Sequence, residues 1–198
     1  MMNTKSTPLS RRKFMQQIAV GGLALAGSSS LLSCLSSKKS TQKKPNILYI
    51  MSDDHAANAI SAYKGWLAET LPTPNIDRIA KEGMRFDNCF CTNSICTPSR
   101  ASILTGQYGH INGVRTLDDP LPTGTKHVAH ELQKSGYETA IIGKYHLHGD
   151  PQGFDHWNVL TGVLGQGTYF DPVMKNQEGD EKVYPGYATD VVTEETLK

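Results

Sequence analysis

The chain has 198 residues, with 20 Lys and Arg against 19 Asp and Glu and four cysteines. Lys5, Arg11, Arg12 and Lys13 all fall within the first 33 residues, which hold no acidic residue. The segment beyond them keeps 16 basic against 19 acidic side chains, a net charge of −3. That balance excludes nucleic acid as a partner.

The basic start is followed by a small-residue apolar stretch from Ile18 to Gly27, too short to span a bilayer as a mature helix. Ser10-Arg11-Arg12-Lys13-Phe14-Met15 resembles a twin-arginine export signal, and Leu31-Leu32-Ser33-Cys34 resembles a bacterial lipobox. Residues 1–34 therefore read as a lipoprotein signal peptide, with Cys34 lipidated. Several acyl chains there anchor firmly where one is marginal. Residues 35–44 read as a flexible tether, with no apolar residue from Ser36 to Lys44. The expected partners are the twin-arginine translocon and a membrane. The expected location is the periplasm or the cell surface, as an exported, membrane-anchored lipoprotein.

Residues 45–198 follow as one domain. Asn46–Met51 is a short apolar run, expected as a buried parallel strand, and it ends in Ser52-Asp53-Asp54-His55. Pro74 to Gly83 predicts a helix, with Pro at its start, Gly at its end and Ile76, Ile79 and Ala80 on one face. Met84–Phe90 alternates and predicts a strand. Ser99–Leu104 predicts a helix beside Cys96, and Val128–Ser135 predicts another, closed by Gly136. Glu138–Gly143 is expected as the next buried strand. Residues 150–190, rich in Gly, Pro, Asp and Tyr, are expected as long surface loops. A further helix is expected to begin near Thr193. Strand and helix alternate, which predicts an α/β fold with a mainly parallel central sheet flanked by helices.

Three cysteines remain after Cys34. A bridge between Cys89 and Cys91, two apart on an expected strand, is not expected. The odd count singles out Cys96. It precedes Thr97, Pro98, Ser99 and Arg100 at an expected helix start, where the N-terminal N–H groups favour an anion and Arg100 adds a fixed positive fork. This pattern suits an anion-binding nucleophile; an ordinary helix start with a structural cysteine stays open. Asp53 and Asp54 lie at the carboxyl end of an expected strand, where open α/β sheets place ligands; a solvated turn stays open. In Gly143-Lys144-Tyr145-His146-Leu147-His148-Gly149, a strand-like continuation would point Lys144 and His146 to one side; a polar loop stays open.

The run Cys91–Gly106, with Cys96-Thr97-Pro98-Ser99-Arg100 at its centre, resembles the activation signature of the type I sulfatases. Asp53-Asp54, Gly143–Gly149 and the run Leu104–Val114 resemble other segments of that family. The resemblance covers nearly all of residues 45–198 but only the first part of a full sulfatase. It implies an alkaline-phosphatase-like sulfatase core, truncated here.

The resemblance also implies a chemistry. A formylglycine-generating or anaerobic sulfatase-maturating enzyme would oxidise Cys96 to formylglycine. Its hydrate would attack sulfur with one hydroxyl, and the second would expel sulfate and restore the aldehyde. Asp53, Asp54 and the modified Cys96 would hold one divalent cation, Ca2+, whose remaining ligands are expected beyond residue 198. Arg100 would neutralise and orient the modified residue. Lys144 would bind the sulfate, and His146 would hydrogen-bond the catalytic hydroxyl and take its proton. Tyr145 replaces a customary Trp, and His148 stands where the pattern turns at glycine. His110 takes a structural role near the pocket, and His55 adjoins the metal ligands.

Pro151–Trp157 and Gly165–Pro172 are similar to the subgroup of N-acetylglucosamine-6-sulfatases and heparan sulfate sulfatases of bacteria. The implied substrate is a sulfated glycan of glycosaminoglycan type, or a small sulfate ester. Two other readings are a phosphate or phosphonate monoester hydrolase of the same superfamily, and an inactive truncated or glycan-binding product. The encoding DNA past Lys198 distinguishes a fragment from a complete frame.

Overall fold

The computed structural model describes residues 43–198. The expected signal peptide at 1–34 and the tether up to residue 42 lie outside the described residues. By its internal contacts the chain divides into two units, at Ile50 and Met51. In the first unit, described residues 43–50 form neither strand nor helix, and Ile47, Leu48, Tyr49 and Ile50 are exposed. The strand expected at Asn46–Met51 is therefore not formed. An apolar run becomes a strand only beside a hydrogen-bonded neighbour.

In the second unit, 3-10 turns at Ala57–Ala59 and Ser61–Tyr63 lead to α1, Pro74–Glu82. Pro at the first helical position costs no hydrogen bond, and Gly83 caps the end through its N–H to the Ile79 carbonyl. Ser61 Oγ donates to Asp77 Oδ2 at 2.6 Å and Thr73 Oγ1 donates to Asp77 Oδ1 at 3.0 Å, fixing the helix start. Ile76 and Ile79, on the expected apolar face, remain exposed. Met84–Phe90 is not a strand, and Met84, Phe86 and Phe90 are exposed. Alternation marks two faces, but it supplies no lateral partner.

The second helix, α2, spans Cys96–Thr105 and starts three residues earlier than expected. Pro98 lies in its first turn, where its missing N–H is not needed. The helix stops at Gly106, whose φ of +67° suits glycine. A short α3, Gly109–Asn112, follows, and then α4, Val128–Lys134. Gly136, at φ +76°, donates its N–H to the Gln133 carbonyl and closes α4 as expected.

Among the described residues, four strands form one sheet in the order β1 (Ala140–Gly143), β2 (His156–Leu160), β3 (Val173–Asn176), β4 (Glu181–Val183). β1 and β2 run parallel, pairing Ala140 with His156 through Gly143 with Val159; β2–β3 and β3–β4 are antiparallel. The sheet is therefore mixed rather than mainly parallel. A tight turn at Gly179 (φ +89°) joins β3 to β4, a connection that only an antiparallel pair permits. Residues 150–190 thus carry three strands and the start of α5, Ala188–Thr196, not only loops. β1 is half-buried, as among the described strands it pairs on one side only.

Ala101, Val114, Tyr145, Leu147, Trp157 and Val159 form the core, with Leu104, Leu121, Ile141 and Phe154 packed against it. Leu147 is fully buried, worth roughly 1.5–3 kcal/mol of transfer free energy. The core clamps α2 through Ala101, and the segment after β1 through Tyr145 and Leu147. At the end of β1, Gly143 has φ +97°, and a Cβ there would sit 3.1 Å from Val192 Cγ1 on α5. Glycine lets the chain leave the sheet sharply under that helix. Among the described residues no helix is long and apolar enough to cross a membrane.

Candidate active site

Three separate segments meet at Asp53. Asp54 takes the left-handed conformation, φ +49°, which aspartate tolerates better than most residues. Cys96 is the first residue of α2; the N-cap Ile95 offers no capping side chain and its own N–H donates to Asn93 Oδ1, and Pro98 has no N–H, so Cys96 and Thr97 carry the opening donors of the helix. Arg100 lies four residues on and shares its face. Lys144 and His146 follow β1. The expected strand-like continuation is absent: β1 ends at Gly143, and His146 takes the left-handed conformation, φ +53°. Tyr145 and Leu147 enter the core, while the alternate residues Lys144 and His146 come within electrostatic range of Asp53.

The Asp53 carboxylate divides its two oxygens. Oδ1 accepts from the Cys96 thiol at 3.4 Å. Oδ2 accepts from Arg100 Nη2 at 3.1 Å and pairs with Lys144 Nζ. Arg100 Nη1 donates to the Lys144 carbonyl, so the arginine holds both its neighbours. Burial pushes the Asp53 carboxyl up, but the Lys144 ammonium, the Cys96 thiol and the Arg100 guanidinium together hold it below the usual 3.8. Burial pushes the His146 imidazole below the usual 6.5, and the Lys144 and Arg100 charges push it the same way. These effects favour the neutral imidazole at pH 7. Among the described residues, Arg100 Nε and His146 Nδ1 are buried without a hydrogen-bond partner. Such atoms are costly unless something binds them.

Asp53, Asp54 and Cys96 each bring one potential ligand atom within 4.8 Å of the others. The two carboxylates are hard oxygen donors of the kind calcium takes. The sulfur is not, since thiolates select softer metals. An oxygen-bearing side chain at position 96 would make the donor set uniform.

The remaining histidines stay outside this cluster. His55 Nδ1 lies 3.2 Å from Ser52 Oγ on the surface. His110 stacks on Tyr108, with ring centroids 5.8 Å apart. His148, at φ +58°, directs Nε2 to the Leu117 carbonyl at 2.8 Å. Cys89 and Cys91 are free and exposed. One participant carried no chemical signal in the sequence: Gln166 Oε1 accepts from Lys144 Nζ at 2.8 Å. Its flanking Gly165 and Gly167 were the available hint.

The chain resembles known proteins over this same region. The family model described as Sulfatase matches residues 45–198. The N-acetylglucosamine-6-O-sulfatase of Bacteroides thetaiotaomicron is 46% identical over 168 residues, covering 85% of this chain and 29% of that protein. The ulvan-active sulfatase of Formosa agariphila is 36% identical, covering 74% of this chain and 31% of its own length. Human arylsulfatase G is 42% identical, covering 63% and 25%. A solved structure of a protein in complex with its substrate D-glucosamine-2-N,6-O-disulfate superposes with TM-score 0.75 at 46% identity, covering 78% of this chain and 31% of that one. The chain thus spans less than a third of the length of these relatives. With the family match running from Pro45 to the last residue, the chain belongs to the sulfatase family.

Proposed function

We propose that this chain is the nucleophile-bearing part of a sulfuric ester hydrolase that removes sulfate from sulfated sugars. The carrying observation is the convergence of Cys96, Arg100 and Lys144 on the single carboxylate of Asp53 at a helix N-terminus. A helix start, a guanidinium and an ammonium around one potential nucleophile suit a tetrahedral anion. Oxidised to formylglycine, residue 96 supplies a hydrated aldehyde as the attacking group. Calcium, held by Asp53, Asp54 and oxidised Cys96, supplies Lewis-acid polarisation when bound. Arg100 neutralises the residue at position 96, and Lys144 neutralises the sulfate oxygens. His146 accepts the proton of the attacking hydroxyl. The names of the relatives favour a glycosaminoglycan-type sugar, with N-acetylglucosamine 6-sulfate first among the candidates. The basic start and lipobox-like run at residues 1–34 favour export and lipid anchoring.

The tests belong on the full-length protein that carries this chain. A 6-O-sulfated N-acetylglucosamine is compared with the matched phosphate monoester. Faster sulfate release is expected; faster phosphate release supports the phosphate or phosphonate reading instead, and no release from matured protein supports glycan binding.

A pH dependence follows from His146. Its lowered value means that the base is lost, and kcat/KM falls, only as pH drops through a point below 6.5. His146→Gln should remove that acid limb. An unchanged acid limb in His146→Gln assigns the proton acceptor elsewhere.

A further inference from the structure

The Lys144 ammonium has three N–H donors. Asp53 Oδ2 takes one, and Gln166 Oε1, at 2.8 Å, takes another. With two directions of a tetrahedral group fixed, the third is fixed as well. The main-chain carbonyl of Lys144 is held by Arg100, so the residue is anchored at both ends. We propose that Gln166 is a positioning residue that aims the Lys144 ammonium at the bound sulfate ester, a role resting on the function proposed above for the same site.

The loop around Gln166 holds it in place. A 3-10 turn, Val163–Gly165, ends at Gln166, whose N–H donates to the Val163 carbonyl at 3.0 Å. Gly165 and Gly167 both have positive φ, +79° and +76°. A Cβ on Gly167 would come within 3.0 Å of Leu160 Cδ1, so the loop lies tight on the end of β2. A Cβ on Gly165 would touch His146 Cα at 3.6 Å, so the same loop lies against the His146 backbone. The acceptor is also neutral. A carboxylate at position 166 would make the same hydrogen bond but offset the positive charge that attracts an anionic ester.

The test is a double-mutant cycle in the matured full-length protein. Gln166→Met keeps the length of the side chain and loses the acceptor. Its kcat/KM for a sulfate monoester should fall about tenfold, as for loss of a hydrogen bond to a charged group. Gln166→Glu should lose more, chiefly through a raised KM. The double variant Lys144→Ala, Gln166→Met should lose no more than Lys144→Ala alone, because Gln166 acts only through Lys144. Additive losses in an active enzyme overturn the role of Gln166. Absence of sulfate release from the unmutated enzyme instead overturns the reading of the whole site. NMR of the 15N-labelled protein gives a readout independent of turnover. The Lys144 ammonium signal, slowed in exchange by its acceptors, should weaken in Gln166→Met; an unchanged signal overturns the contact.

Discussion

Cys96→Ala in the full-length protein should abolish sulfate ester turnover, a loss on the order of 10⁴-fold or more, as when a covalent nucleophile is removed. The fold should survive. Ala is a good helix former, Cys96 is the first residue of α2, and the helix is locked by Thr97, Pro98 and Ala101, all buried, rather than by the thiol. The thiol makes one hydrogen bond, to Asp53 Oδ1, which keeps its Oδ2 contacts to Arg100 and Lys144. Circular dichroism and the thermal midpoint should therefore stay near those of the unmutated protein while sulfate release disappears. Near-normal release by the variant would remove Cys96 from the chemistry.

Asp53→Asn should have the next largest effect. Asp53 carries the negative charge that both Arg100 and Lys144 engage, and it offers an oxygen to the three-residue cluster with Asp54 and Cys96. The amide keeps the shape and removes the charge. Two cations then face each other without their shared counter-ion, and the hard donor set loses one of its two carboxylates. Turnover should fall on the order of 10³-fold, comparable with removing a strong transition-state contact. Calcium titration of the variant should show weakened binding, followed by calorimetry or by protection against thermal unfolding. Undiminished calcium binding would place the cation elsewhere. A moderate loss of stability is also expected, kept small by the partial solvent exposure of the carboxylate.

The helices were legible where local punctuation defines them. Pro74 and Gly83 bound α1, and Gly136 closes α4, because capping is a property of a few adjacent residues. The strands were less so. Asn46–Met51 and Met84–Phe90 have strand-like sequences, but a strand is completed by a partner remote in sequence. β2, β3 and β4 went unrecognised for the opposite reason. They are three to five residues long and set among Gly, Pro and Asp, too short for a period to register. The site divides in the same way. Cys96, Arg100, Lys144 and Asp53 carry reactive or charged groups in recognisable runs, so their types were readable, though the contacts between them span 43 to 47 residues or more of chain. Gln166 has a neutral side chain in a glycine-rich loop, and only its distance to Lys144 reveals it.

Peptide mass spectrometry of full-length protein purified from its native host is the most direct test of whether residue 96 supplies an aldehyde. The peptide containing Cys96 should carry the formylglycine mass at that residue and react with a hydrazine probe. An intact thiol at residue 96 in protein that still releases sulfate would contradict the proposed chemistry.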